Sequence, residues 1–357
     1  MPPAKGYPLL CERLESIPGI LRDQLATPQS ALPKDLAERG VLATGAGSSE
    51  AAARLLVYAL NRAGIPAAFE PLSSFYKATL PPFKNPPYLA VFSQGLSPNV
   101  GIPLSHRHAF TGLILFTAST PEGQRQAGKP ERAALLETLA TEKAILRTHP
   151  LENEYTLLPR FIGPVCVQLA VCQFCEDAAP GCLGGNEMLN KIPERFLPSA
   201  HSIKTSGTWR SDLERGVTFF FTNACADLAQ NLSYKCMETF MVSPPALVDA
   251  LTYSHGRFQH DTLHPAPHWV FTTAAPDEQQ LLGHLAPLFE RGGGSRVIES
   301  TLPPPLALFD YEAFLNSLFK TLLAESNLDL INWPGKGEDG PGYQLAQPGT
   351  YTSGDTP

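Results

Sequence analysis

A short apolar strand that runs through a turn into a helix occurs twice in this chain, about 175 residues apart, and this repeat narrows the possible folds more than any other feature. The first copy is Gly40-Val-Leu-Ala-Thr-Gly-Ala-Gly-Ser-Ser49, continued by helical spacing over 50–64. The second is Val217-Thr-Phe-Phe-Phe-Thr222, followed by a predicted helix over 224–239 that carries Leu228, Leu232 and Met237. Further strand signals stand at 67–72, 88–92 and 110–116 in the first half, and at 269–272 and 296–298 in the second. Helical spacing lies over the first 30 residues, 161–176, 277–291 and 311–326. Alternating strands and helices predict an α/β fold, with parallel sheets covered on both faces. At about 150 residues per domain, 357 residues make about two such domains.

Composition removes several function classes. Lys and Arg number 27 against 34 Asp and Glu, a net charge of −7, which argues against a binder of the phosphate backbone, since that needs a cationic face; no nucleic-acid partner is expected. No apolar run approaches the roughly 20 residues of a membrane span, and the first ten residues lack a signal-peptide pattern, so neither a membrane association nor export is expected. Seven cysteines, an odd number, fit a reducing cytoplasm. Cys166, Cys172, Cys175 and Cys182 match none of the usual metal spacings and read mainly as core residues. Prolines 265 and 267 break up the histidines at 255, 260, 264 and 268, so no metal is expected there either.

Two turns carry possible chemistry. Gly45-Ala-Gly-Ser-Ser49 lies between a strand and a helix, where glycines permit close backbone approach and the first helical N–H groups point at an anion. Gly47, Ser48 and Ser49 are the candidate ligand contacts. The turn is neither a Walker motif nor a full dinucleotide fingerprint, and taken alone it is equally an ordinary helix cap. Ser93-Gln-Gly-Leu-Ser-Pro-Asn99 follows the next strong strand, at the carboxyl edge where open parallel sheets bind ligands; Ser93, Gln94 and Ser97 are the candidates there.

These two turns together resemble the sugar isomerase (SIS) domain, and the tandem arrangement is similar to the isomerase half of glutamine:fructose-6-phosphate amidotransferase. It is similar also to stand-alone deaminases and fructosamine-6-phosphate deglycases. The likeness spans about residues 8–337 and includes a lead-in helix from Cys11 to Leu25. Lys235-Cys-Met-Glu238, then His255-Gly256 17 residues after Glu238, then Lys336 nine residues after Asn327, match the family pattern in order. The resemblance implies two Rossmann-like SIS domains, each a parallel sheet flanked by helices. Expected boundaries are a helical lead-in at 1–35, a first domain at 36–177, a linker at 178–204, a second domain at 205–326 and a tail at 327–357 carrying the lysine.

The residue types suit sugar chemistry. Moving a proton between C1 and C2 of an open-chain sugar needs a carboxylate that accepts and returns it, the role expected of Glu238. Ring opening needs a group that titrates near neutrality, as imidazole does, hence His255. An unprotonated amine can attack a carbonyl to form an imine, the role the resemblance gives Lys336, with Lys235 in support. Each of these taken singly is equally a surface residue; a Lys–Glu pair at this spacing is commonly just an exposed ion pair.

The loops depart from the family. Ser93-Gln94 leads directly to Gly95, so the usual phosphate cradle lacks one serine, and a donor to a charged group is worth about 1.5–3 kcal/mol. The segment 152–160 resembles a Glu-rich loop, with Glu154 as a substrate contact, but lacks its Ser-Thr-Lys portion. The expected activity is that of an isomerase, deaminase or deglycase acting on an amino sugar or fructosamine, phosphorylated or not, with no cofactor. The alternative is a non-catalytic sugar sensor. The partner is then a small-molecule sugar or sugar amine, and the resemblance implies a homodimer in which His255 serves across the interface.

Overall fold

The computed structural model describes residues 2–76, 84–149, 155–198, 200 and 208–343. The chain divides into two compact units. One comprises Gly19–Glu154, Ile162–Lys191 and Asn332–Pro357; the other comprises Met1–Pro18, Tyr155–Phe161 and Ile192–Ile331. The division falls inside the first long helix, α1 (Tyr7–Ala26).

The first unit is built on β1 (Val41–Gly45), α2 (Ser48–Arg62), β2 (Ala67–Phe69), β3 (Tyr88–Phe92), β4 (Gly112–Thr117), α3 (Pro130–Thr141), β5 (Ile145–Thr148) and α4 (Gly163–Ala178). All five strands are parallel, in the order β2-β1-β3-β4-β5. Central strands of a parallel sheet are covered on both faces, which is why β1 and β3 are buried throughout and read as continuous apolar runs. Leu42, Leu89, Val91, Leu113 and Leu115 line one face and pack on Leu136 and Leu139 of α3. On the other face Phe92 stacks on Phe116 with ring centroids 4.3 Å apart, and Phe116 meets the edge of Phe174 on α4.

The second unit repeats the scheme with β6 (Thr218–Phe221), α5 (Gln230–Phe240), β7 (Ala246–Asp249), α6 (Arg257–Leu263), β8 (His268–Thr273), α7 (Pro276–Gly292), β9 (Ser295–Ser300) and α8 (Ala307–Leu323). Its four strands are parallel, in the order β7-β6-β8-β9. The three phenylalanines of β6 divide by the period of a strand. Phe219 stacks on its register partner Trp269 and Phe221 on Phe271, at 5.3 and 4.9 Å. Phe220 points the other way, into a cluster with Tyr253, Val270 and Phe289.

The α/β class and the paired parallel sheets agree with the sequence expectation. Strands β5 and β7 do not figure in it. Both are four-residue edge strands, Ile-Leu-Arg-Thr and Ala-Leu-Val-Asp, half wetted and with apolar runs of only two and three residues. The stretch expected to be a linker carries short helices at Gly185–Leu189 and Ile192–Arg195. Glu176 organises its start by accepting the backbone N–H groups of Gly181, Leu183 and Gly185.

At the end of β5, His149 is 1% exposed and neither ring nitrogen has a hydrogen-bond partner among the described residues. Burial pushes its imidazole down to about 4. An unfolded imidazole takes up its proton as pH falls through about 6.5, while the folded one stays neutral, so stability is lost as the medium becomes acidic between those values. Urea unfolding at pH 5 is expected to give roughly 2 kcal/mol less stability than at pH 7 from this group. A His149→Leu variant should lose less over the same interval; an equal loss in both proteins counts against this assignment.

Candidate functional site

The chain passes from β1 to one side of the sheet and returns on the other at β3, so the crevice of the five-stranded sheet opens at the carboxyl ends of these two strands. The structure brings both serine-bearing turns to that edge. Gly45 sits where an added Cβ would lie 2.7 Å from the Ser49 carbonyl and 3.1 Å from Cβ of Phe92, so only glycine lets α2 begin this close to the sheet. Gly47 has φ +61° and ψ −130°, a conformation suited to glycine, and delivers Ser48 and Ser49 to the first turn of α2. Across the crevice, Ser93 follows β3, its N–H donating to the Phe116 carbonyl at 3.0 Å. The hydroxyls of Ser48, Ser49 and Ser93 are taken up by no hydrogen bond among the described residues.

The second turn is held from behind. The Gln94 carbonyl accepts the Ala118 N–H and the hydroxyls of Thr117 and Ser119. Its side chain lies against the start of α4: a Cβ at Gly163 would come within 2.3 Å of the Gln94 amide atoms. Leu96 adopts φ +53°, which turns the chain toward Ser97 at the head of a short helical turn. Arg132 of α3 donates to the Gly95 carbonyl at 3.0 Å and is 8% exposed. Its guanidinium sets a fixed positive charge behind the turn, and sequence spacing offers no clue to it, because Arg132 lies 37 residues beyond Gly95.

The corresponding crevice of the four-stranded sheet lies between β6 and β8, and there the chain supplies its own anion. Glu278, near the start of α7 and 7% exposed, accepts from the Thr222 hydroxyl (2.6 Å), the Asn223 amide (2.8 Å), and the N–H and hydroxyl of Thr273 (both 2.9 Å). A carboxylate thus fills the place where an open parallel sheet would take a ligand. The sequence marked this region only as the start of a helix.

The remaining candidates divide between the units. Lys235 and Glu238 stand one turn apart on α5, as the spacing predicts. They do not form the simple exposed pair. Lys235 is 1% exposed; its ammonium bonds the fully buried Glu312 carboxylate and, at 2.8 Å, the Asn316 carbonyl oxygen, over the face of Phe161. Asn231 donates to the same Glu312. Glu238 is half-buried and is itself engaged by a neighbour. His255 is exposed in the turn after β7, just before Gly256, whose φ of +94° starts α6. Lys336 belongs to the five-stranded unit, exposed between Gly335 and Gly337, with its ammonium 4.5 Å from the Trp333 ring centroid. Glu154 lies outside the described residues.

The other clusters have structural explanations. His260 (3.0 Å), His268 (3.0 Å) and Arg257 (2.9 Å) converge on buried Asp261; burial raises that carboxyl, but these hydrogen bonds outweigh it and hold the group below its usual range. Cys166, Cys172 and Cys175 are buried in α4 and Cys182 is half-buried; burial pushes the Cys182 thiol up to about 11. Among the described residues no group of three or more His, Cys, Asp or Glu could hold a metal ion, and no helix is long and apolar enough to cross a membrane.

No protein-family model matches the sequence, and no curated protein matches it. Solved structures do match. Glucosamine-6-phosphate deaminase from Thermotoga maritima is 17% identical, with 91% of this chain and 97% of that one covered at a TM-score of 0.64. Tagatose-6-phosphate ketose/aldose isomerase from Escherichia coli is 16% identical, covering 93% and 98%, also at 0.64. The C-terminal domain of glucosamine-fructose-6-phosphate aminotransferase from Francisella tularensis is 14% identical, covering 90% and 97%, at 0.61. At such identities the likeness is one of fold, and it extends over nearly the whole length of each neighbour.

The internal carboxylate yields a direct test. Glu278→Ala strands the Thr222, Asn223 and Thr273 donors and is expected to cost about 2–4 kcal/mol in urea unfolding. Inorganic phosphate should then raise the melting temperature of the variant more than that of the wild type. An equal response in both proteins means the vacated space is no anion site.

Proposed function

We propose that this chain is a sugar-converting enzyme of the isomerase, deaminase or deglycase type, acting on an amino sugar or fructosamine. What supports it is the contrast between the two crevices. One is filled by Glu278, while the other presents the hydroxyls of Ser48, Ser49 and Ser93 beside a helix N-terminus, with Arg132 behind the turn. That set suits an anionic or polyhydroxylated ligand, and the neighbours of like fold are named for 6-phosphate sugars.

Ser48, Ser49, Ser93 and Ser97, with the Gly47 and Gln94 backbone, hold the phosphate or a sugar hydroxyl. Glu238 removes the proton from one of C1 and C2 and returns it to the other through an enediol. His255, exposed before Gly256, serves ring opening and is donated across a homodimer. Lys336 supplies the amine that forms an imine with the open-chain carbonyl and releases water. Lys235 does not touch the sugar in this scheme; buried against Glu312, it positions α5 and with it Glu238.

A screen of amino sugars and fructosyl amino acids, each with and without a 6-phosphate, scored for released amine and for aldose–ketose conversion, tests the proposal. On the substrate it finds, Glu238→Gln should lower kcat by about 10²–10⁴-fold with ligand affinity nearly unchanged. Ser93→Ala should raise KM by roughly tenfold or more with kcat little altered, if the serine meets a charged group. Saturable sugar binding without turnover in the wild type gives the answer to a non-catalytic sensor instead.

A further inference from the structure

Helix α6 carries two imidazoles that the proposed sugar chemistry does not use. His260 and His264 stand one helical turn apart, the His264 N–H donating to the His260 carbonyl at 2.9 Å, so both side chains leave the same face. Pro265 disfavours a helical residue before it, and His264 accordingly takes φ −130° and ψ 74° at the helix end. The prolines that the sequence reading takes as a break therefore lie beyond this pair and leave it intact. Both side chains are exposed, with ring centroids 5.1 Å apart and ring planes inclined at 46°.

Asp261 decides which nitrogen His260 offers. Its carboxylate is paired with Arg257 and can only accept, so Nδ1 of His260 donates to it at 3.0 Å, and a neutral His260 keeps its lone pair on Nε2. Asp261 is itself fully buried and fixed by Arg257 at 2.9 Å and His268 at 3.0 Å. A carboxylate on the far N–H of an imidazole is the support that metal-ligating histidines use, because it fixes both tautomer and ring orientation. The His264 ring makes no hydrogen bond among the described residues. Two imidazole nitrogens each about 2.1 Å from one ion, at an angle between a right angle and a tetrahedral one, set their ring centroids about 5 Å apart. The observed separation is of that size. We propose that His260 and His264 together chelate one divalent transition-metal ion, zinc or a first-row neighbour of it, with water in the remaining positions. Imidazole suits these ions, whereas magnesium and calcium take oxygen ligands. With two protein ligands and the Arg257 charge nearby, the ion exchanges more readily than in a closed four-ligand site.

Calorimetric titration of the full chain with Zn²⁺ and Ni²⁺, and with Mg²⁺ as the control, tests this. Zinc and nickel are expected to bind saturably and magnesium not at all. His260→Gln and His264→Gln should each weaken zinc binding about tenfold or more, since either change turns a chelate into a single contact. Both positions are exposed, and circular dichroism should show the fold intact. His108→Gln, an exposed histidine of the five-stranded unit, should leave the affinity unchanged. Nitrogen-15 NMR of the histidine-labelled chain gives an independent reading: zinc should shift the ring resonances of His260 and His264 while Nδ1 of His260 keeps its proton. Absence of saturable zinc binding at submillimolar concentration overturns the proposal. So does unchanged affinity in both variants, or a zinc shift confined to other histidines. The readout is ion binding and not turnover, so its failure leaves the enzymatic proposal standing, and the reverse holds as well.

Discussion

An ammonium and a carboxylate kept from water hold the helical layer of the four-stranded unit in register. Lys235 of α5 and Glu312 of α8 bury their charges together, and Asn231, Asn316 and the face of Phe161 complete the enclosure. Such a pair adds little over an apolar substitute, but removing either partner strands a charge at a cost of about 3–5 kcal/mol. Its value is geometric. It permits one arrangement of two helices, and every residue on those helices inherits that arrangement. Glu238 is carried on one of them, and Asn316, which accepts from Lys235, on the other.

The two sheets share a plan but use it differently. In both, the strands run parallel and the chain reverses its direction of travel beside the first strand, which leaves a crevice at the carboxyl edge. In the four-stranded sheet Glu278 closes that crevice from within, so Thr222, Asn223 and Thr273 are spent on the chain's own stability. In the five-stranded sheet glycines at 45 and 47 bring hydroxyls to the equivalent place. A repeated architecture thus contains one crevice filled by a buried carboxylate and one that presents serine hydroxyls.

Much of this was legible from residue order, and the gaps have physical causes. The central strands announce themselves because burial on both faces demands unbroken apolar runs such as Tyr-Leu-Ala-Val-Phe at β3. Edge strands β5 and β7 face water on part of their surface and carry no comparable signal. The turns at Gly45–Ser49 and Ser93–Ser97 were visible because glycine and serine cluster locally. The spacing of Lys235 and Glu238 was visible because helical geometry is periodic. Their surroundings were hidden, since Glu312 lies 77 residues from Lys235 and Arg132 lies 37 from Gly95. A lysine that looks like half of a surface pair can instead be a buried charge, and only tertiary contacts decide which.

The close approach of Gln94 to Gly163 constrains how such a chain can change over time. With 2.3 Å between the glutamine amide and the space a methyl would need, a side chain at 163 requires the far end of the Gln94 side chain to move aside. The packing of a helix start and the orientation of a side chain in the turn are therefore linked, and a change at one is felt at the other.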